Sequence, residues 1–279
     1  GMDIVTLLEN TLEAGCSCTV KHGLSLYIDT GKQQVLFDTG PDDTFARNAE
    51  ELGIDLSQVE IVVISHAHYD HGGGLETFLA INKKARVFIS ADARGEYYAQ
   101  REETEFQYIG LDPAVLEAGR ERINFIQGKT EIAPGLTLLR TTEHSTFQPG
   151  AVLLRKKDGI LEKDLFEHEQ IMVMEEQGVL HVFTGCSHNG IINMVLSVEK
   201  EFPGKKIQTL VGGFHLMNTR TNQMAETEQT VKDLAAVLRE HRIGRIYTGH
   251  CTGTEALAVL QGVLGEKIQG IRTGKQIML

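Results

Sequence analysis

The sequence predicts an α/β fold, on three observations. Short apolar runs rich in β-branched residues recur along the chain. Several of them end in glycine beside a cluster of polar, histidine-bearing residues. Segments with apolar residues at helical spacing fall between them. The 279 residues suffice for one large domain, and no linker appears, so residues 2–279 are read as a single domain. Gly1 ahead of Met2 reads as an expression scar and is set aside.

The elements follow in order. Residues 3–8 read as an opening strand. Residues 24–28 and 34–37 flank Asp29-Thr30-Gly31-Lys32, a turn-rich connection, and so predict a hairpin. Residues 42–52 read as a helix, with Phe45, Ala49 and Leu52 at helical spacing. The nearly continuous apolar run at 59–64 reads as a buried strand, 75–81 as a short helix and 86–89 as a strand. The polar segment at about 92–128 is rich in Glu, Arg and Tyr and has weak periodicity. It reads as a solvated, helical stretch, or as a lid or substrate-recognition insertion. Strands follow at 136–140, 179–184, 208–212 and 245–248. A helix at 224–239 carries Val231, Leu234, Ala235 and Leu238 on one face, and Thr254 opens another. Residues 267–279 close the chain as strand and turn.

The chemistry concentrates where the run 59–64 gives out. Ser65-His66-Ala67-His68-Tyr69-Asp70-His71 brings three histidines and one aspartate within six residues, followed by Gly72-Gly73-Gly74. Imidazole and carboxylate are the ligands that borderline divalent metals prefer. A loop can turn neighbouring side chains onto one point. Burying so many polar rings without a ligand would cost desolvation with no return. An exposed histidine-rich loop is the alternative, but H-x-H-x-D-H is far more specific than a lone histidine. Other strand ends repeat the pattern: Thr184-Gly185-Cys186-Ser187-His188, Gly212-Gly213-Phe214-His215 and Thr248-Gly249-His250-Cys251. His22-Gly23 is either a rim residue of the same site or a plain loop histidine.

Composition narrows the function classes. Acidic residues outnumber basic ones 38 to 27, a net charge of -11, which disfavours a nucleic-acid or other polyanionic substrate. No run of about 18 apolar residues exists, and no basic segment leads into an apolar core at the start. The chain is therefore read as cytoplasmic, with no membrane partner. Cys16, Cys18, Cys186 and Cys251 have neither disulfide-framework nor C-x-x-C spacing and read as reduced thiols. Cys16-Ser17-Cys18 reads as a loop, with a regulatory or metal role as the other reading.

His66-x-His68-x-Asp70-His71 followed by glycines resembles the signature of the metallo-β-lactamase superfamily. The match extends over nearly the whole chain. His-Gly at 22, Gly-Cys-Ser-His-x-Gly-Ile at 185, Gly-Gly-Phe-His-Leu at 212 and Gly-His-Cys-Thr-Gly at 249 narrow it. They resemble a subgroup of metal-dependent hydrolases related to archaeal 7,8-dihydropterin-6-methyl-4-(β-D-ribofuranosyl)-aminobenzene 5′-phosphate synthase. The resemblance implies a four-layer αββα sandwich. It places His66 and His68 at one metal, Asp70 and His71 at a second, and His250 at the second. His188 is the favoured ligand from its strand, with Cys186, in the position of the usual bridging aspartate, as the alternative. His144 or Glu143 after the strand 136–140, and His215, stand as further neighbours of the metals. Asp38, in Asp38-Thr39-Gly40, either fixes a ligand histidine through its free N–H or is an ordinary turn residue.

The implied activity is hydrolysis of a small molecule, phosphate- or pterin-containing, by water activated between two divalent ions. Zinc is expected, with manganese or iron as alternatives. Asp70 would also orient the activated water or shuttle its proton. A di-iron oxidoreductase on the same scaffold, and a metal-dependent metabolite-binding protein without catalysis, are the rivals. One scaffold serves many chemistries, so substrate and oligomeric state stay open.

Overall fold

In the computed structural model, which describes residues 1–279, the β-branched run at 59–64 becomes a strand at Ile61–Val63 with all three side chains buried. A strand this short holds only where its backbone groups are paired on both sides. Gln34–Phe37 lies parallel on one flank and Arg86–Ser90 parallel on the other. The protein is mixed α/β, with two seven-stranded sheets and one four-stranded sheet. The chain forms two compact units. The first comprises Gly1–Gln127, Val152–His168 and Arg272–Leu279, and the second Gly128–Ala151 and Glu169–Ile271.

The first unit's large sheet runs in the order Gln276–Met278, Asp3–Leu8, Ser25–Asp29, Gln34–Phe37, Ile61–Val63, Arg86–Ser90, Ile123–Ile126. Its first half is antiparallel and its second half parallel. The expected hairpin forms with Asp29 opposite Gln34. The helices Thr44–Glu51 and Leu75–Ile81 bury Phe45, Ala49, Leu75 and Phe78 with Tyr27, Leu36, Val62 and Val87 of the sheet. Because Gln34–Phe37, Ile61–Val63 and Arg86–Ser90 are parallel, their carboxyl ends share one edge. Open α/β sheets bind ligands at that edge. Asp38 and the histidine motif both emerge there, joined by bonds from Asp38 N–H to Val63 O and from Ile64 N–H to Phe88 O.

The segment 92–128 differs from the helical reading. It folds as a short turn at Ala91–Arg94, a hairpin of Glu96–Glu102 with Glu105–Tyr108, a short helix at Pro113–Ala118 and the strand Ile123–Ile126. Tyr97 and Ala99 are buried while Glu96 and Gln100 are exposed and Tyr98 between them is half-buried, a period of two rather than of 3.6. The hairpin pairs with Leu154–Lys157, which in turn pairs with Ile160–Lys163, to make the four-stranded sheet. The last strand of the segment belongs to the large sheet, so that part is scaffold.

The second unit's sheet runs Ile268–Gly270, Arg245–Thr248, Lys206–Gly212, Val179–Thr184, Gln170–Glu176, Leu136–Arg140, Thr130–Ala133. Its first four strands are parallel and the rest antiparallel. The helices Ile191–Glu201, Glu228–Glu240 and Thr254–Leu264 bury Val198, Leu234, Leu238 and Leu260 with Val173, Val182, Leu210 and Ile246. Thr227 caps the middle helix by accepting from Thr230 N–H, so it starts four residues later than its apolar spacing suggested. Here again three parallel strands end together, at Thr184, Gly212 and Thr248.

Candidate metal centre

In the first unit His66, His68, Asp70 and His71 are all buried and close together. The His66 ring centroid lies 4.6 Å from that of His68 and 4.3 Å from that of His71. The chain leaves the strand extended through His68 and then makes one helical turn at Tyr69–Gly72, which swings Asp70 and His71 back towards the first two rings. Gly73 permits this turn, since a Cβ there would sit 2.2 Å from Pro41 O and 2.5 Å from Tyr69 O.

Asp38 organises the cluster. It is fully buried with φ 63°, an unusual conformation for a non-glycine residue. Its Oδ1 accepts from Ser65 N–H at 2.6 Å, and its Oδ2 takes the Ser65 hydroxyl and His71 Nδ1–H, each at 2.6 Å. The single hydroxyl proton of Ser65 is thus committed to the carboxylate. The 2.8 Å contact between Ser65 Oγ and His66 Nδ1 is therefore donated by the ring. Both His66 and His71 carry their proton on Nδ1, so Nε2 of each presents a lone pair. His71 Nε2 lies 3.6 Å from Asp70 Oδ2. Two buried acceptors facing one another repel unless a cation stands with them, and this donor set fits a divalent metal. Burial, assisted by the neighbouring His168, pushes the His68 pKa down to about 3, which keeps that ring unprotonated as a ligand must be.

His168 and Asp164 were not identified from the sequence. His168 Nδ1 accepts from the backbone N–H of Ala67, between the two motif histidines, at 2.9 Å. Its Nε2–H donates to Asp164 Oδ2 at 2.9 Å. Burial works against the Asp164 carboxylate, but the hydrogen bonds from His168 and Phe166 N–H and the nearby imidazoles of His168 and His68 together outweigh it and hold the pKa below the ordinary value. The only sequence signal was an acid and a histidine four residues apart in a polar stretch, indistinguishable from a surface pair. The pair locks the motif loop through its backbone.

In the second unit the strand ends gather Cys186, His188, His215, His250 and Cys251, all buried. Donor atoms of Cys186, His188 and His215 lie within 4.8 Å of one another, as do those of Cys186, His250 and Cys251. The rings of His188 and His215 are 4.4 Å apart, and His215 Nδ1 is buried with no hydrogen-bond partner. Ser187, His215 and His250 all have positive φ, so each loop turns sharply as its strand ends. Hydroxyls tie the turns down: Ser187 donates to Gly213 O at 2.6 Å, Thr248 to Gly212 O at 2.7 Å, and Thr252 accepts from Phe214 N–H at 2.9 Å. Glu169, also missed in the sequence, fixes His188. It accepts from His188 N–H at 2.8 Å, and from Asn189 N–H and Nδ2 at 2.9 and 2.8 Å. Burial raises the Cys251 pKa, but the side chains of Cys186 and His215 and the charge of His250 outweigh it, holding the thiol well below its ordinary value. Nitrogen and sulfur donors in this arrangement suit zinc or another borderline metal.

His144 is exposed on the loop after Leu136–Arg140, where Thr146 N–H is bonded to Asn193 Oδ1, and Glu143 pairs with Lys200 at 3.3 Å. Asp38 does what the resemblance implied: it fixes His71, and through Ser65 it also fixes His66.

The fold and the buried histidine–aspartate motif define a class. The chain belongs to the metallo-beta-lactamase superfamily, whose sequence profile matches residues 18–161. Within it, the chain is 28% identical over 293 residues to the 7,8-dihydropterin-6-methyl-4-(beta-D-ribofuranosyl)-aminobenzene-5′-phosphate synthase of Methanocaldococcus jannaschii, covering 98% of this chain and 95% of that one. The crystal structure of Tm1679, described as a metal-dependent hydrolase of the beta-lactamase superfamily, superposes with a TM-score of 0.84 at 31% identity, covering 100% and 99% of the two chains. Zn(2+)-bound PqqB from Methylobacterium extorquens shares the fold at 14% identity and a TM-score of 0.58, covering 99% and 100%.

Proposed function

We propose that the chain is a metal-dependent hydrolase acting on a small phosphate- or pterin-containing molecule. Two divalent ions would be held by His66, His68, Asp70, His71, His188 and His250. The observation that carries the reading is the network from Asp38 through Ser65, which places both Nδ1 protons and leaves Nε2 of His66 and His71 as lone-pair donors beside Asp70. Such ions, when bound, bring the pKa of water towards neutrality and polarise a substrate oxygen. The chain's own groups do the rest. Asp38 keeps two imidazoles in the ligand tautomer, the His168–Asp164 pair holds the motif loop at Ala67 N–H, and Asp70 orients water or shuttles its proton.

The substrate class draws on the name of the archaeal relative, which is a synthase, and on the acidic balance of the chain, which disfavours nucleic acid. No helix is long and apolar enough to cross a membrane. The four cysteines form no disulfide, which suits the reducing cytoplasm. The test is elemental analysis of purified wild type beside a His68→Ala variant, with hydrolysis assayed on phosphodiester, phosphomonoester and lactone substrates. About two zinc ions per chain in wild type, with loss of metal and turnover in the variant, is expected. A wild type that takes up no divalent ion, or a variant that keeps both metal and activity, defeats the reading.

A further inference from the structure

We infer that His22 is a positioning residue for Asp70, acting as a hydrogen-bond donor whose tautomer is chosen by Asn10. His22 Nε2 lies 3.3 Å from Asp70 Oδ2, and its Nδ1 lies 3.1 Å from Asn10 Nδ2. The other end of the Asn10 amide, Oδ1, accepts from Gly23 N–H at 3.3 Å, which sets the amide the right way round. An amide NH2 facing Nδ1 needs a lone pair there, so the His22 proton sits on Nε2 and points at the carboxylate. The reverse tautomer, which a metal-ligating Nε2 requires, would set Nδ1–H against the NH2 of Asn10, two donors face to face.

The backbone holds the same alignment. Leu24 N–H donates to Asp70 O at 3.3 Å, and a Cβ at Gly23 would lie 2.7 Å from that oxygen. Residues 22–24 therefore grip Asp70 at both its carbonyl and its carboxylate. The Asp70 side chain is 10% exposed and that of His22 35%, so the imidazole stands on the open side of the carboxylate. Asp70 Oδ2 thus has His22 Nε2 at 3.3 Å and His71 Nε2 at 3.6 Å. Outer partners of this kind set ligand orientation and typically carry a tenfold to hundredfold effect on metal affinity, on the order of that seen for other metal sites.

The inference rests on the metal-centre reading, and the experiment separates the two. Wild type, His22→Ala, His22→Asn and His22→Gln are titrated with Co2+ in competition with a chromophoric chelator, following the visible ligand-field bands. Circular dichroism reports the fold. Glutamine places its NH2 near where Nε2–H stands, whereas asparagine reaches only the Nδ1 position. The expected result is about tenfold or greater weakening of one of the two ions in the alanine and asparagine variants, with glutamine close to wild type. Imidazole 15N shifts of the metal-free wild type should show His22 protonated on Nε2 alone. Alanine binding both ions as wild type does overturns the role of His22 and leaves the metal centre standing. Glutamine failing as badly as alanine, or an Nδ1–H tautomer, overturns it too, because His22 is then a ligand itself. A wild type that binds no Co2+ overturns both readings together.

Discussion

The Asp38 carboxylate accepts three hydrogen bonds with no solvent to replace any of them, from Ser65 N–H, Ser65 Oγ–H and His71 Nδ1–H. Replacing a buried acceptor by a group of the same shape that donates is harsher than simple truncation, since a new donor faces an existing one. Asp38→Asn presents NH2 either to Ser65 N–H or to the hydroxyl and imidazole. It should destabilise the protein by about 3 kcal/mol, read from urea unfolding. It should also weaken metal binding in a titration, because His66 and His71 lose their tautomer. Equal stability and equal metal uptake would show that the carboxylate is a bystander. At this scale the histidines were readable because their spacing is rare in a chain. Asp38 stood in a motif but looked like any turn acid. His168 and Glu169 carried no distinguishing mark, because what they do is bond to backbone N–H groups supplied by distant residues, and Asp164 acts through the His168 ring.

Elements were readable where burial imposes a period. The strand at Leu136–Arg140 and the inward face of Glu228–Glu240 follow from apolar spacing alone. The hairpin at Glu96–Glu102 and Glu105–Tyr108 did not. Its inward residues are only Tyr97 and Ala99, and its charged outward face blurs the alternation. Pairing decides it: Tyr98 faces Tyr108 on one side and Leu154 on the other. The helix Ile191–Glu201 depends on its entry. Gly190 has φ 92°, and a Cβ there would meet Phe147 O at 2.0 Å and Asn193 Nδ2 at 3.1 Å. Gly190→Ala therefore combines backbone strain with a clash against a carbonyl and should cost about 2 kcal/mol or more. Two residues upstream His188 shares the turn, so metal uptake should fall with stability. A variant melting with wild type would show that the turn has room the geometry denies.

Across the whole molecule, buried titratable groups tie stability to pH. The His68 pKa falls from 6.5 to about 3 on folding, so unfolding takes up a proton at any pH between those values. Asp164, held below 3.8, contributes stability that is present above that value and lost as pH falls through its folded pKa. Both act in one direction. The metal-free protein should lose stability steadily from about pH 6.5 downward, with His68 acting first and Asp164 only at the acid end. Urea midpoints across that range read it, and His68→Gln should flatten the upper part of the curve. A midpoint that rises as the pH is lowered from neutrality contradicts the assignment. The sequence by itself determined the class of fold, the family and the place of the histidine–aspartate motif, because periodicity and close spacing are local properties of a chain. Tertiary structure alone decided which nitrogen of His22, His66 and His71 carries its proton. That choice is made by Asp38, Ser65 and Asn10, whose hydrogen bonds reach across the sequence and exist only once the strands have been set side by side.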